Sequence, residues 1–112
     1  MRYLMFVATD PNPDTSTDPE PDVEQWFSEV NERGQWITGD RLRPASDAVT
    51  VRVRSGELLV TDGPFAETRE WIVGFDVLEC ADLDEAIEIA SKHPQARGGR
   101  LELRPIWPFD QS

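Results

Sequence analysis

Cysteine is almost absent. Cys80 is the single one in 112 residues, so no disulfide can form within the chain. His93 is the single histidine, and neither a CxxC nor an HExxH spacing occurs. That inventory excludes a His/Cys zinc site in one chain, and neither a metal nor a cofactor is expected. No apolar run is long enough to cross a bilayer, so no membrane partner is expected. Basic charge is scarce as well. There are 11 Lys and Arg against 22 Asp and Glu, for a net charge of -11. A phosphate backbone needs a positive surface, so nucleic acid is not an expected partner. Met1-Arg2 runs straight into Tyr3 to Ala8, too short a stretch for a signal peptide and without a cleavage site, and the expected location is cytoplasmic.

What is present fits one folded domain. Hydrophobic residues make up 38% and aromatics 9%. A chain of this length buries roughly two-thirds of its unfolded surface and needs no covalent staples. Its charge is unevenly spread: the stretch from Asp10 to Glu32 holds 8 acids and no base. The most structured signal lies in residues 58–75. A β-rich run stops at Thr61, Asp62-Gly63-Pro64 turns the chain, and a second apolar run opens at Trp71. Asp62 can accept from backbone N–H groups ahead of it, Gly63 can take positive φ, and Pro64 ends any ladder.

The remaining elements follow from periodicity. Residues 2–8 form a continuous apolar run, the pattern of a central strand. Asp18 is a candidate N-cap with Pro19 behind it, and Val23, Trp26, Phe27 and Val30 make one apolar stripe, so a helix is predicted over 19–33 and closed by Gly34. Trp36 to Leu42 reads as a short strand interrupted at Gly39-Asp40. Val49, Val51 and Val53 alternate with polar residues, Ser55-Gly56 is a two-residue hairpin turn, and Leu58 to Thr61 returns. A longer strand runs from Trp71 to Glu79. Asp82 and Glu85 form a capping box ahead of a helix with the stripe Leu83, Ala86, Ile87, Ala90, ended by Pro94. A last strand covers residues 100–107. The order β-α-β, hairpin, β-α-β predicts an α+β domain: a ferredoxin-like antiparallel sheet with two helices on one face and an added β-hairpin.

The block Thr61-Asp62-Gly63-Pro64-Phe65-Ala66-Glu67-Thr68-Arg69-Glu70, followed by Gly74-Phe75, resembles the signature of the DGPF, or YCII-related, family. Gly39-Asp40-Arg41-Leu42, Asp84-Glu85-Ala86 and Glu102-Leu103-Arg104-Pro105 are similar to the same family. The resemblance spans nearly the whole chain and implies a dimeric α+β barrel, in which two ferredoxin-like sheets face each other. It also implies small-molecule chemistry, and frequent encoding beside or fusion to extracytoplasmic-function sigma factors. The wider group is associated with a His–Asp pair whose Asp precedes a proline near the end of the second helix. Here that step is His93-Pro94, and no histidine lies in the first helix, so that pair does not carry over.

Two sets of candidate site residues emerge. Asp62, Glu67 and Glu70 on the turn are candidate general bases, and His93 is a candidate acid or base, although at a helix C-terminus a charged His93 capping the dipole is the simpler expectation. On the last strand Leu101 and Leu103 should meet the helices, which sends Glu102 and Arg104 to the opposite face. There, together with Asp76, they are candidates to bind an anionic or carbonyl-bearing small molecule across a homodimer cavity, with an internal ion-pair network as the competing explanation. Cys80 is expected to be a buried structural thiol. Two functions of different class remain open: a homodimer with a polar small-molecule cavity doing cofactor-free acid–base chemistry, or a regulatory module whose acidic stretch meets a basic partner such as a sigma factor.

Overall fold

A computed structural model describes residues 1–19, 21–63 and 72–110. The elements are β1 (Arg2–Thr9), α1 (Val23–Glu32), β2 (Trp36–Arg41), β3 (Val49–Arg54), β4 (Glu57–Asp62), β5 (Ile72–Glu79), α2 (Leu83–Ser91), the short α3 (Gln95–Gly98) and β6 (Gly99–Pro105). Four strands make one antiparallel sheet in the order β2-β5-β1-β6, and among the described residues β3 and β4 pair only with each other. This is the ferredoxin-like arrangement with an inserted hairpin that the element order predicts.

The sheet has two distinct faces. Tyr3, Met5 and Val7 of β1 stand opposite Leu78, Asp76 and Gly74 of β5, and opposite Pro105, Leu103 and Leu101 of β6. These residues share the face under the helices, because side chains alternate along a strand. Trp26 and Val30 of α1 and Ala86, Ile89 and Ala90 of α2 close over it and complete the core. On the other face, free of helices, lie Leu4, Phe6, Phe75 and Val77, all half-buried, with Glu102 and Arg104 at the β6 edge.

Helix α1 starts at Val23, the first residue of its stripe and four residues later than the Asp18-Pro19 cap predicts. Its N-cap is Asp22, whose carboxylate accepts from the Glu24 N–H, and not Asp18. The reason lies in Pro19 and Pro21, since a proline steers the residue ahead of it away from helical geometry. In α2 the buried stripe is Ala86, Ile89, Ala90, while Leu83 and Ile87 stay half-exposed. Both stripes satisfy the i, i+3, i+4 spacing; the observed one lets two alanines bring the helix close to the sheet. The capping box forms as expected, with Asp82 accepting from the Glu85 N–H. Cys80 is buried and free.

Loop residues 10–19, which carry no periodic pattern, are held chiefly through Arg97. Arg97 on α3 bonds the Asp14 carboxylate at 3.0 Å and the carbonyls of Pro19 and Asp18 at 2.7 and 2.9 Å. At the far end of β4, Gly63 sits at φ 106°. A Cβ there meets strain whatever the space around it, so Gly63→Ala is expected to cost roughly 1 kcal/mol in a urea melt.

Candidate functional site

At one end of the sheet the start of α1 stands away from β2 and β5. The gap is a cleft of about 890 Å³, floored by Val7, Gly74 and Asp76 and walled by Val23, Trp26, Phe27 and Trp36, with His93 and Gln95 beyond the end of α2. The sequence builds it from three local decisions. Val23 and Phe27 complete the apolar stripe of α1 yet remain partly exposed, because they face the cleft and not the core. A β-bulge between Trp36 and Thr38 then resets β2 so that Gly39 lies opposite Asp76. Finally, Pro94 breaks α2 and leaves His93 at its C-terminal edge.

Asp76 is gripped from two sides. The Trp36 indole Nε1–H donates to its Oδ1 at 2.9 Å. Gly39 presses against the same oxygen: a Cβ at that position would lie 2.6 Å from Oδ1 and 2.5 Å from the Phe75 carbonyl. No cation pairs with Asp76 among the described residues. Burial pushes its carboxyl above the usual range, and the Trp36 hydrogen bond offsets part of that rise.

His93 is 8% exposed. A charged imidazole capping the helix dipole was the expectation; burial instead lowers its pKa and favours the neutral ring. Its Nδ1 accepts from the Gln95 backbone N–H at 3.0 Å. In a neutral imidazole one nitrogen accepts and the other carries the proton, so the proton resides on Nε2, which is set to donate. The ring stands edge-on to Trp26, centroids 4.7 Å apart, and Trp26 is itself fixed by its Nε1–H to the Ile89 carbonyl at 2.9 Å.

A lowered folded pKa favours the fold only while the imidazole is neutral. The contribution is complete above the unfolded value, near 6.5, and is lost as pH falls through the folded pKa. Urea melts from neutral pH down to about pH 5 should therefore show wild type losing more stability than His93→Gln. Equal losses would contradict the burial of a neutral ring.

The other sequence candidates lie elsewhere. Glu102 and Arg104 stand opposite Phe6 and Leu4, on the helix-free face, whereas Asp76 stands opposite Met5 on the helix face. Strand alternation thus separates Asp76 from the two residues it was grouped with. Arg104 and Glu102 pair with each other at 2.9 Å, and the Arg104 side chain is 69% exposed. Asp62 ends β4 on the hairpin, opposite Val49. Glu67 and Glu70 lie outside the described residues. Of the candidates, then, Asp76 and His93 share one cleft. Trp36 and Gly39, which position Asp76, were not singled out as site residues; a glycine inside a strand pattern is a signal of close approach, and it was available at Gly39.

The acidic stretch is partly consumed within the chain. Asp14 pairs with Arg97 at 3.0 Å and Asp10 with Arg100 at 3.2 Å. No helix among the described residues is long and apolar enough to cross a membrane. No cluster of three or more His, Cys, Asp or Glu suited to a metal ion occurs among them either.

Comparison with known proteins gives two results. The profile of the YCII-related domain matches residues 1–110. An uncharacterized protein of Rhizobium meliloti (strain 1021) is 46% identical over 68 residues, which cover 59% of this chain and 55% of that protein. The match therefore spans about half the length of that relative.

Proposed function

The chain belongs to the YCII-related family, and from that premise we propose that it is a homodimeric, cofactor-free acid–base enzyme acting on a small carbonyl compound in the Asp76–His93 cleft. One observation carries the proposal: a carboxyl raised by burial and an imidazole lowered by burial line the same cleft. Both shifts bring the groups toward each other's range, where proton transfer near neutral pH is efficient. Asp76 takes a proton from the carbon beside the carbonyl. The C–H electron pair moves into the new C=C bond, and the carbonyl π pair moves onto oxygen. His93, neutral, donates its Nε2–H to that oxygen. Return of the proton from Asp76 to the same carbon regenerates the ketone, and in a β,γ-unsaturated substrate, whose enolate is conjugated, its return to the γ-carbon yields the conjugated isomer, with nothing oxidised or reduced.

Charge and shape select the substrate. Glu24, Asp40 and Asp76 line the cleft against Arg41 alone, with His93 neutral, so an uncharged compound is favoured over an anion. The indole and phenyl walls suit an apolar or planar body. In the same proposal Glu102 and Arg104 belong to the helix-free face that a second copy covers, closing the barrel. The regulatory alternative, with a sigma factor held by the acidic stretch, draws less support because Asp10 and Asp14 already pair with arginines of the chain itself.

The test is exchange of deuterium from solvent into the α-carbon of small cyclic ketones. Exchange above buffer with wild type, lost in Asp76→Asn, is the expected result. A full panel showing no exchange above buffer contradicts the proposal.

A further inference from the structure

Helix α1 is packed at its middle and its end but not at its start. Trp26 and Val30 are its buried residues, and the Trp26 indole is tied to the Ile89 carbonyl. Val23, Glu24 and Gln25, ahead of Trp26, are all exposed. A first turn that buries no side chain belongs to the low-stability end of a fold. Yet Val23 and Glu24 line the cleft, whose other end is made by His93, Pro94 and Gln95.

The segment leading into this turn does not hold itself in place. Asp10, Asp14, Asp18 and Asp22 follow one another with no basic residue between them, and a segment charged with one sign repels itself and extends. The cations it meets, Arg97 and Arg100, come from α3 and β6. Arg97 grips the segment from both its side chain and its backbone. The guanidinium spans the Asp14 carboxylate and the Asp18 and Pro19 carbonyls, and the Arg97 carbonyl accepts from the Asp14 N–H at 2.8 Å. The last of these contacts, at Pro19, lies shortly ahead of the N-cap Asp22. A planar fork that meets three acceptors at once fixes one path for the chain, which a point charge does not. The same short α3 supplies the Gln95 N–H that His93 Nδ1 accepts. One residue thus joins the two ends of the cleft.

We propose that Arg97 is a positioning residue for the cleft: by clamping the loop to α3 it sets where the first turn of α1, and with it the Val23–Glu24 wall, stands relative to His93. The inference rests on the enzyme reading above and adds to it a residue outside the cleft that governs how well substrate is held. Arg97 touches none of Asp76, Trp36 or the His93 ring, so its loss should weaken binding and spare the chemical step. The His93 end stays put without the clamp, because α3 runs directly into β6, where Gly99 pairs with Thr9.

The test compares wild type with Arg97→Met by deuterium exchange into cyclohexanone, or into the panel ketone that wild type exchanges fastest. The expected result is a KM raised about tenfold with kcat changed by less than about twofold, the pattern of lost uniform binding. Amide hydrogen exchange reads the clamp without any substrate. The Trp26 N–H, which donates to the Asp22 carbonyl at 2.9 Å, should exchange about tenfold faster in the variant. The Glu79 N–H, which donates to the Gln35 carbonyl at 2.7 Å, should keep its rate. Arg97→Lys should restore both readouts in part, since an ammonium cannot reproduce the fork. Asp14→Asn, on the exposed loop, reads the clamp without altering α3 and should move both in the same direction by less. A Trp26 amide unmoved in Arg97→Met and Asp14→Asn overturns the clamp. A faster amide with an unchanged KM overturns the positioning role and leaves the enzyme reading standing. A wild type that exchanges no ketone of the panel overturns the enzyme reading and this role with it.

Discussion

Asp76→Asn is expected to make the protein more stable at neutral pH and, on the proposed function, to abolish ketone exchange. The two effects have one cause. Asp76 is a carboxylate taken partly out of water, with an indole N–H and, among the described residues, no cation for a partner. A carboxyl whose folded pKa lies above its unfolded value favours the fold when protonated. That contribution is complete below the unfolded value, near 3.9, and is lost as pH rises through the folded pKa. Asparagine keeps an oxygen for the Trp36 Nε1–H and never carries the charge. The variant should thus melt higher than wild type at pH 7, and the gap should close as pH falls toward 4. Removing the base should meanwhile lower ketone exchange by about 10²–10⁴-fold.

Leu78→Ala has the largest expected effect on the fold itself. Leu78 is 0% exposed, on the central strand β5, paired with Tyr3 on one side and Trp36 on the other. Truncation removes its transfer energy and leaves a cavity that the sheet cannot collapse around, for a loss of roughly 2–5 kcal/mol. Against a total stability of about 5–15 kcal/mol, that is enough to bring the domain close to unfolding at physiological temperature. Leu83→Ala is the matched control. Leu83 is half-exposed on α2, and its loss should stay within about 1 kcal/mol. A urea melt of the two variants side by side checks the assignment of the core. Equal losses would mean that the helix stripe and not the sheet carries it.

The sequence made some of this legible and hid the rest for physical reasons. Alternation on β5 and β6 is a strictly local property, so the partition of Leu101 and Leu103 from Glu102 and Arg104 could be read directly. The same was true of the capping box at Asp82 and of Gly63 at positive φ, where the residue chemistry and the backbone requirement coincide. The start of α1 was placed too early because Asp18 and Pro19 make a plausible cap, whereas the apolar stripe itself begins at Val23, where the helix does. The burial of His93 was not legible, since the ring packs against Trp26, which is distant in sequence. The site depends on non-local facts in the same way. Only pairing between β2 and β5, shifted by a bulge, brings Trp36 and Gly39 onto Asp76. Glycine inside a strand signalled that something approaches closely there, but not what.

The central claim is that Asp76 and His93 are tuned by burial in one cleft, and NMR titration tests it most directly. The side-chain carboxyl carbon of Asp76 and the ring nitrogens of His93 should be followed from acid to neutral pH in wild type. The account predicts an Asp76 midpoint above the ordinary carboxylate range and a His93 midpoint below the ordinary imidazole range. It also predicts that the neutral ring carries its proton on Nε2, because Nδ1 accepts from the Gln95 N–H. An Asp76 that titrates like a surface aspartate, together with a His93 that is charged at neutral pH, would contradict it.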